Sequence, residues 1–170
     1  ILVSGPVTLK EHHPNIRRID VESAEEMYEE ARRAYTDADA GILCAAVADF
    51  TPDHTADHKI KRGKDGMTIQ LKPTKDIAAS LGATKKEGQV LVGFALETND
   101  EQQNAKGKLE RKNFDFIVLN SLNDKGAGFR VDTNKISIID RQDTTSYPLK
   151  NKSEVAKDII DRLVQTLNKN

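Results

Sequence analysis

The sequence predicts a layered α/β domain built around a mostly parallel sheet. Three observations carry that prediction. Residues 42–47, 90–94 and 116–119 are continuous apolar runs, as expected of strands covered on both faces. Other segments place apolar residues at helical spacing. Late in the chain, 135–140 and 144–149 alternate apolar and polar residues, as the arms of a half-exposed hairpin do. Strands that take turns with helices belong to α/β layering.

Taken in order, Ile1-Leu2-Val3 reads as the end of a buried strand running into the turn Ser4-Gly5-Pro6. The chain therefore reads as an internal fragment that begins after an upstream strand and helix. A short strand follows over 16–21. Ser23 with Glu26 three residues later forms a capping box, and Ala24, Met27, Tyr28, Ala31 and Tyr35 continue it as an amphipathic helix over 23–36. The run 42–47 is a core strand with Cys44 inside it as a packing residue. Residues 49–66 lack periodicity and lead into an alternating strand, 67–71. Thr74 is placed to cap a short helix near 75–81 with Gly82 as its stop. A polar helix is expected near 99–113, between the runs 90–94 and 116–119. The alternating pair 135–140 and 144–149 reads as antiparallel and peripheral, and its exposed edge as a natural dimer surface. A last helix, 153–167, puts Val155, Ile159, Ile160, Leu163, Val164 and Leu167 on one side.

Composition narrows the function classes. The 170 residues carry 26 Lys and Arg against 27 Asp and Glu, a net charge of −1. A nucleic-acid binder would show a basic excess, and 5% aromatic residues without Trp make a poor base-stacking platform. No apolar run approaches the ~20 residues of a membrane helix. A single cysteine, Cys44, excludes an internal disulfide and fits a reducing, cytoplasmic setting.

The chemistry-bearing features are mostly cationic. Lys59-Ile60-Lys61-Arg62, with Lys64 close behind, crowds four cations into six residues that repel unless neutralised. Two readings stand: a solvated loop, or a flap that closes over polyphosphate. The cluster's place after the strand 42–47 supports the flap, because open α/β sheets bind ligands beyond their strands' carboxyl ends. Asp49 closes Ala45-Ala46-Val47-Ala48-Asp49-Phe50, whose small side chains admit a ligand close to the backbone. It reads either as a group that binds magnesium through water or orients a sugar, or as an ordinary turn aspartate. Lys72-Pro73-Thr74-Lys75-Asp76-Ile77 leads into a helix start, where free N–H groups attract anions and Lys75 adds charge. Lys108 and Lys112 share a stripe with Ala105 and Leu109, so they either meet an anion or snorkel along a rim. His54 and His58 sit four apart in a loop with Asp53 and Asp57, a surface pair rather than a zinc site. His12-His13 also reads as loop. Neither a dinucleotide glycine fingerprint, a Walker motif nor a nucleophile elbow is present.

Together these segments resemble a known family. Val3-Ser4-Gly5-Pro6-Val7, Ala45-Ala46-Val47-Ala48-Asp49-Phe50 and Lys59-Ile60-Lys61-Arg62 occur in its order. Val92-Gly93-Phe94-Ala95-Leu96-Glu97-Thr98-Asn99 and Lys112-Asn113-Phe114-Asp115 continue it, followed by Asn120, Gly128-Phe129, Asp132 and Asn134. The family is the phosphopantothenoylcysteine synthetase part of the bacterial bifunctional coenzyme A biosynthesis flavoprotein. The resemblance covers nearly the whole chain. It implies one ligase domain over 1–170, lacking its N-terminal strand, Gly-rich turn and helix. It also implies a Rossmann-like sheet with a peripheral hairpin lobe for dimerisation.

The implied reaction joins 4′-phosphopantothenate to cysteine with CTP through an acyl-cytidylate, with Mg2+ as companion of the nucleotide. Eukaryotic relatives favour ATP. The resemblance maps Lys59 to neutralising phosphate charge, and Leu43, Cys44, Ala45, Ala46, Asp49 and Phe94 to nucleotide contacts. Lys75, Asp76, Ile77, Ala78, Lys108 and Lys112 map to the triphosphate side. Other implied partners are a second copy of the chain and a fused decarboxylase domain, without nucleic acid or membrane. The family's upstream Gly-rich turn and an asparagine that handles the acyl intermediate are missing here, and Arg62 stands where a lysine is usual. The flavin-dependent half is absent too, so FMN is not expected. The alternative is a nucleotide-binding and dimerisation module, catalytically incomplete as this fragment. An NAD-binding domain is a third reading, weakened by the missing glycine fingerprint.

Overall fold

The computed structural model describes all residues except 12, 62–65, 98–99, 122–130 and 170, with the side chains of 97 and 121 also left aside. Arg62 and Lys64 of the basic cluster, Thr98-Asn99, Gly128-Phe129 and His12 therefore lie outside the described residues. The chain divides into two compact units, residues 1–31 with 45–76, and residues 32–44 with 77–170.

The first unit holds β1 (Leu2–Ser4) and β2 (Arg18–Asp20), which pair in parallel, and most of α1 (Ala24–Tyr35). The capping box is present: Ser23 Oγ accepts the Glu26 N–H at 3.1 Å, and the Glu26 carboxylate accepts the Ser23 N–H at 3.0 Å. The N–H groups of Glu22 and then Ser23 hold the Glu26 carboxyl below its usual range. Ile1 and Leu2 are exposed, contrary to the predicted buried strand. The reason is that β1 pairs with β2 in a two-stranded sheet and does not enter the large one.

The second unit is layered about a five-stranded sheet. β3 (Ala40–Leu43) lies at one edge. In this unit α2 (Ile77–Thr84), β6 (Val90–Glu97), α3 (Glu101–Arg111) and β7 (Phe116–Ser121) follow the first unit's ribbon, β4 (Phe50–Pro52) with β5 (Leu71–Pro73). Strands β3, β6 and β7 are mutually parallel. After β8 (Thr133–Asn134), β9 (Ile136–Asp140) pairs antiparallel with β7, and β10 (Thr144–Ser146) closes the hairpin at the far edge. The chain ends in β11 (Lys150–Asn151), paired with β8, and α4 (Lys152–Leu167).

Both sheet faces are covered, which is why β6 and β7 read as continuous apolar runs. On one face Val90, Val92, Phe116, Val118, Ile136 and Ile138 pack with Val155, Ile159 and Leu163 of α4. On the other, α2 and α3 pack against β6 and β7, where Gly93 leaves room for the Phe114 ring. The mostly parallel α/β sheet with flanking helices is thus present. The hairpin occupies the sheet edge as expected, but β9 is part of the central core, with Ile136, Ile138 and Ile139 all buried.

Several local expectations are corrected. The strand at 42–47 ends at Leu43, because β3 is an edge strand and Ala45, Ala46 and Ala48 beyond it offer little side chain to bury. Cys44 is consequently exposed rather than packed inside a strand. Residues 67–70 are not a strand; the neighbouring β4 is three residues long and is paired with 71–73. Thr74 does not cap α2: its hydroxyl donates to the Ala48 carbonyl at 2.7 Å, and the helix begins at Ile77. Gly82 lies within α2, where a Cβ would collide with the Lys112 carbonyl, so its glycine serves close helix approach and not termination. On α4, Ile160 and Val164 are exposed, one position round from the buried stripe.

Candidate functional site

The carboxyl ends of β3, β6 and β7 come together in the second unit, the place where open α/β sheets hold ligands. Leu43 ends β3 and is half-buried, and Cys44 follows it. Protein atoms around the Cys44 thiol desolvate it enough to raise its pKa, which disfavours the thiolate. Phe94 lies in β6 on the face covered by α4, half-buried against the core cluster. Ile77 is buried at the first position of α2, and Ala78 beside it is half-buried.

Helix α3 resolves its apolar stripe as expected. Ala105 and Leu109 are buried, while Lys108 and Lys112 are half-buried. That is the rim position in which long cationic chains lay their stems on apolar surface and keep their heads polar. Lys112 is also the C-cap, its N–H donating to the Lys108 carbonyl at 3.0 Å.

The first unit carries the remaining candidates. Ala45, Ala46 and Asp49 are exposed in the segment before β4. The Asp49 carbonyl accepts the Thr74 N–H at 2.9 Å, pinning the base of the β4–β5 ribbon. Asp53 N–H to Gln70 carbonyl, at 2.9 Å, extends that ribbon by one pair. Lys59 and Lys61 are exposed in the loop that joins the ribbon's two strands. His54 sits 3.2 Å from Asp53, and among the described residues no group of three or more His, Cys, Asp and Glu side chains could hold a metal.

Lys75 is engaged by protein. It hydrogen-bonds Glu25, lies 3.7 Å from Glu29, and stands 4.5 Å over the ring of Tyr28, all on α1. The Glu25 bond is the main cause that raises its pKa. A Lys75 that reached phosphate would first have to leave these partners. Asp76 is exposed.

One arrangement at the strand ends escaped the sequence reading. Asn134 Nδ2 donates to Asn120 Oδ1 at 3.0 Å, linking the carboxyl end of β7 to β8. Both residues stood out only as parts of a resemblance; fourteen positions apart, they leave no periodic signal.

A model of the family described as DNA/pantothenate metabolism flavoprotein C-terminal domain matches residues 1–167. The chain belongs to this family. The chain is 57% identical over 164 residues to a protein named cysteine/cysteine sulfinic acid decarboxylase from an unknown prokaryotic organism, covering 96% of this chain and 46% of that one. It is 43% identical over 164 residues to the coenzyme A biosynthesis bifunctional protein CoaBC of Bacillus subtilis, covering 96% of this chain and 40% of that one. The chain thus spans less than half of either relative. Among solved structures it resembles the C-terminal domain of a CoaBC protein, with a TM-score of 0.81 and 32% identity over 99% of this chain and 74% of that one.

Proposed function

We propose that this domain ligates 4′-phosphopantothenate to cysteine with CTP in coenzyme A biosynthesis. The observation that carries the reading is the 43% identity to a coenzyme A biosynthesis bifunctional protein over 96% of the chain. The exposed cations Lys59 and Lys61 on the first unit's ribbon loop suit a triphosphate, and in the second unit the half-buried Phe94 of β6 suits a base.

In this reading the substrate carboxylate attacks the α-phosphorus of CTP, and the bond to the β-phosphate breaks to release pyrophosphate. The cysteine amine then attacks the acyl carbonyl, loses a proton and expels CMP. Charge builds on phosphate oxygens in both steps, so positioned cations stabilise them. Lys59 supplies that charge. Leu43, Cys44, Ala45 and Ala46 offer backbone and Phe94 an aromatic ring to the nucleotide. Lys108, Lys112 and the start of α2 attend its triphosphate.

Magnesium suits this donor set as a companion of the triphosphate. It usually takes one or two carboxylates together with substrate phosphates, and Asp49 is the exposed carboxylate we assign to it. We further propose a cytoplasmic homodimer. Among the described residues no helix is long and apolar enough to cross a membrane.

A second reading is favoured by the 57% identical relative, which is named a decarboxylase and not a ligase. There the domain would bind nucleotide and dimerise without ligating. Pyrophosphate release by the full-length protein, measured with CTP, phosphopantothenate and cysteine, separates the two. The ligase releases pyrophosphate only when phosphopantothenate is present; the binding module releases none.

A further inference from the structure

The Asn120–Asn134 pair has a defined polarity. A backbone N–H can only donate, and the Lys135 N–H donates to Asn134 Oδ1 at 3.0 Å. That bond identifies the oxygen end of the Asn134 amide, so its other end is the nitrogen. Asn134 Nδ2 in turn donates to Asn120 at 3.0 Å, which requires the Asn120 oxygen on that side. The Nδ2 end of Asn120 is therefore the one turned away from Asn134. One backbone amide, through two side chains, sets which end of Asn120 faces away from Asn134.

Asn120 stands at the carboxyl ends of the strands, where open α/β sheets hold ligands. Asn120 is half-buried near the carboxyl end of β7. It is two residues beyond Val118, so the strand's alternation puts it on the α4 face of the sheet. Phe94 occupies the same face of the neighbouring β6, paired with Val118, while Leu96 pairs with Asn120. An aromatic ring and an oriented amide are thus diagonal neighbours on one face.

We infer that Asn134 is a positioning residue that holds Asn120 with its donor end outward, toward a hydrogen-bond acceptor on the base of a nucleotide beside Phe94. The inference rests on the nucleotide reading above. A pyrimidine such as cytosine offers its ring nitrogen and carbonyl as that acceptor.

Asn134→Asp tests this with almost no change of shape. The Lys135 N–H still binds one carboxylate oxygen, but the other now faces Asn120 and turns its amide over. An acceptor then points outward where a donor stood. Titration of the full chain with CTP should show about a tenfold loss of affinity, the size of one hydrogen bond replaced by a mismatch. Inorganic tripolyphosphate, which has no base, should bind Asn134→Asp and the unchanged protein equally. On an Asn120→Ala background, Asn134→Asp should cost nothing further.

Unchanged CTP affinity in Asn134→Asp overturns the inference while leaving the nucleotide reading intact. So does an equal loss for tripolyphosphate, or a loss that persists without the Asn120 amide. If the unsubstituted chain binds no CTP, the nucleotide reading falls and this role falls with it.

Discussion

Lys85 places its ammonium 3.0 Å from both carboxylate oxygens of Asp115, and the same carboxylate accepts the Leu91 N–H at 2.6 Å. The ammonium also donates to the Asn113 carbonyl at 2.8 Å. Three connections of the second unit meet in this knot: the end of α2, the start of β6 and the turn between α3 and β7. Lys85 is 11% exposed and Asp115 22%, so neither charge is left to bulk water.

Removing one partner should therefore be costly. Asp115→Ala strands the Lys85 charge and the Leu91 N–H together and should destabilise the domain by about 3 kcal/mol. Urea unfolding monitored by circular dichroism measures this. A change below about 1 kcal/mol would place the pair among the weak surface salt bridges.

Gly82 provides a steric test. The Lys112 carbonyl occupies the space a side chain would need, so Gly82→Ala must force α2 away from the end of α3. Overpacking of this kind costs about 1–3 kcal/mol. Thermal melts should show a clear fall in midpoint. A rise, as expected of glycine-to-alanine exchange in an unhindered helix, would show that the two helices do not meet so closely.

These positions show what the sequence could and could not disclose. The apolar runs at β6 and β7 disclosed buried strands because helices cover both faces there, and the Ser23–Glu26 box disclosed the start of α1 because capping is local. The run at 42–47 looked equally apolar, yet its alanines bury little and β3 stops at Leu43. Gly82 looked like a helix stop because the carbonyl it makes room for comes from thirty residues further on. The partners of Lys75 were hidden for a similar reason: Glu25, Tyr28 and Glu29 on α1 lie about fifty residues earlier. Asn120 and Asn134 meet through a strand pairing that no short motif encodes.

The helix cap on α1 gives a local prediction. Ser23→Ala removes the acceptor of the Glu26 N–H and should cost about 1 kcal/mol. Ser23→Asp should restore most of it, as an acidic cap also favours the helix dipole. Both are read from the denaturation midpoint, and equal midpoints for all three proteins would refute the cap.

Acid should weaken the second unit through Asp140. Burial works against this carboxylate's charge, but the N–H groups of Asp143 and Gln142, together with Arg162, overcome it and hold its pKa below the ordinary 3.8. A carboxyl depressed on folding contributes stability that is complete above its unfolded value and is lost as pH falls through the folded one. Stability should decline below about pH 4, and Asp140→Asn should flatten part of that decline. Parallel pH profiles for the two proteins would remove Asp140 from the account.

Cationic stabilisation of a triphosphate is the claim on which the functional account depends, and Lys59 tests it most directly. Formation of phosphopantothenoylcysteine from CTP, phosphopantothenate and cysteine should be measured for the full-length protein with and without Lys59→Ala, alongside thermal melts. The account predicts an unchanged melt and a turnover reduced by about a hundredfold or more, the loss typical of removing a group that stabilises transition-state charge. Equal turnover with the lysine gone would contradict it.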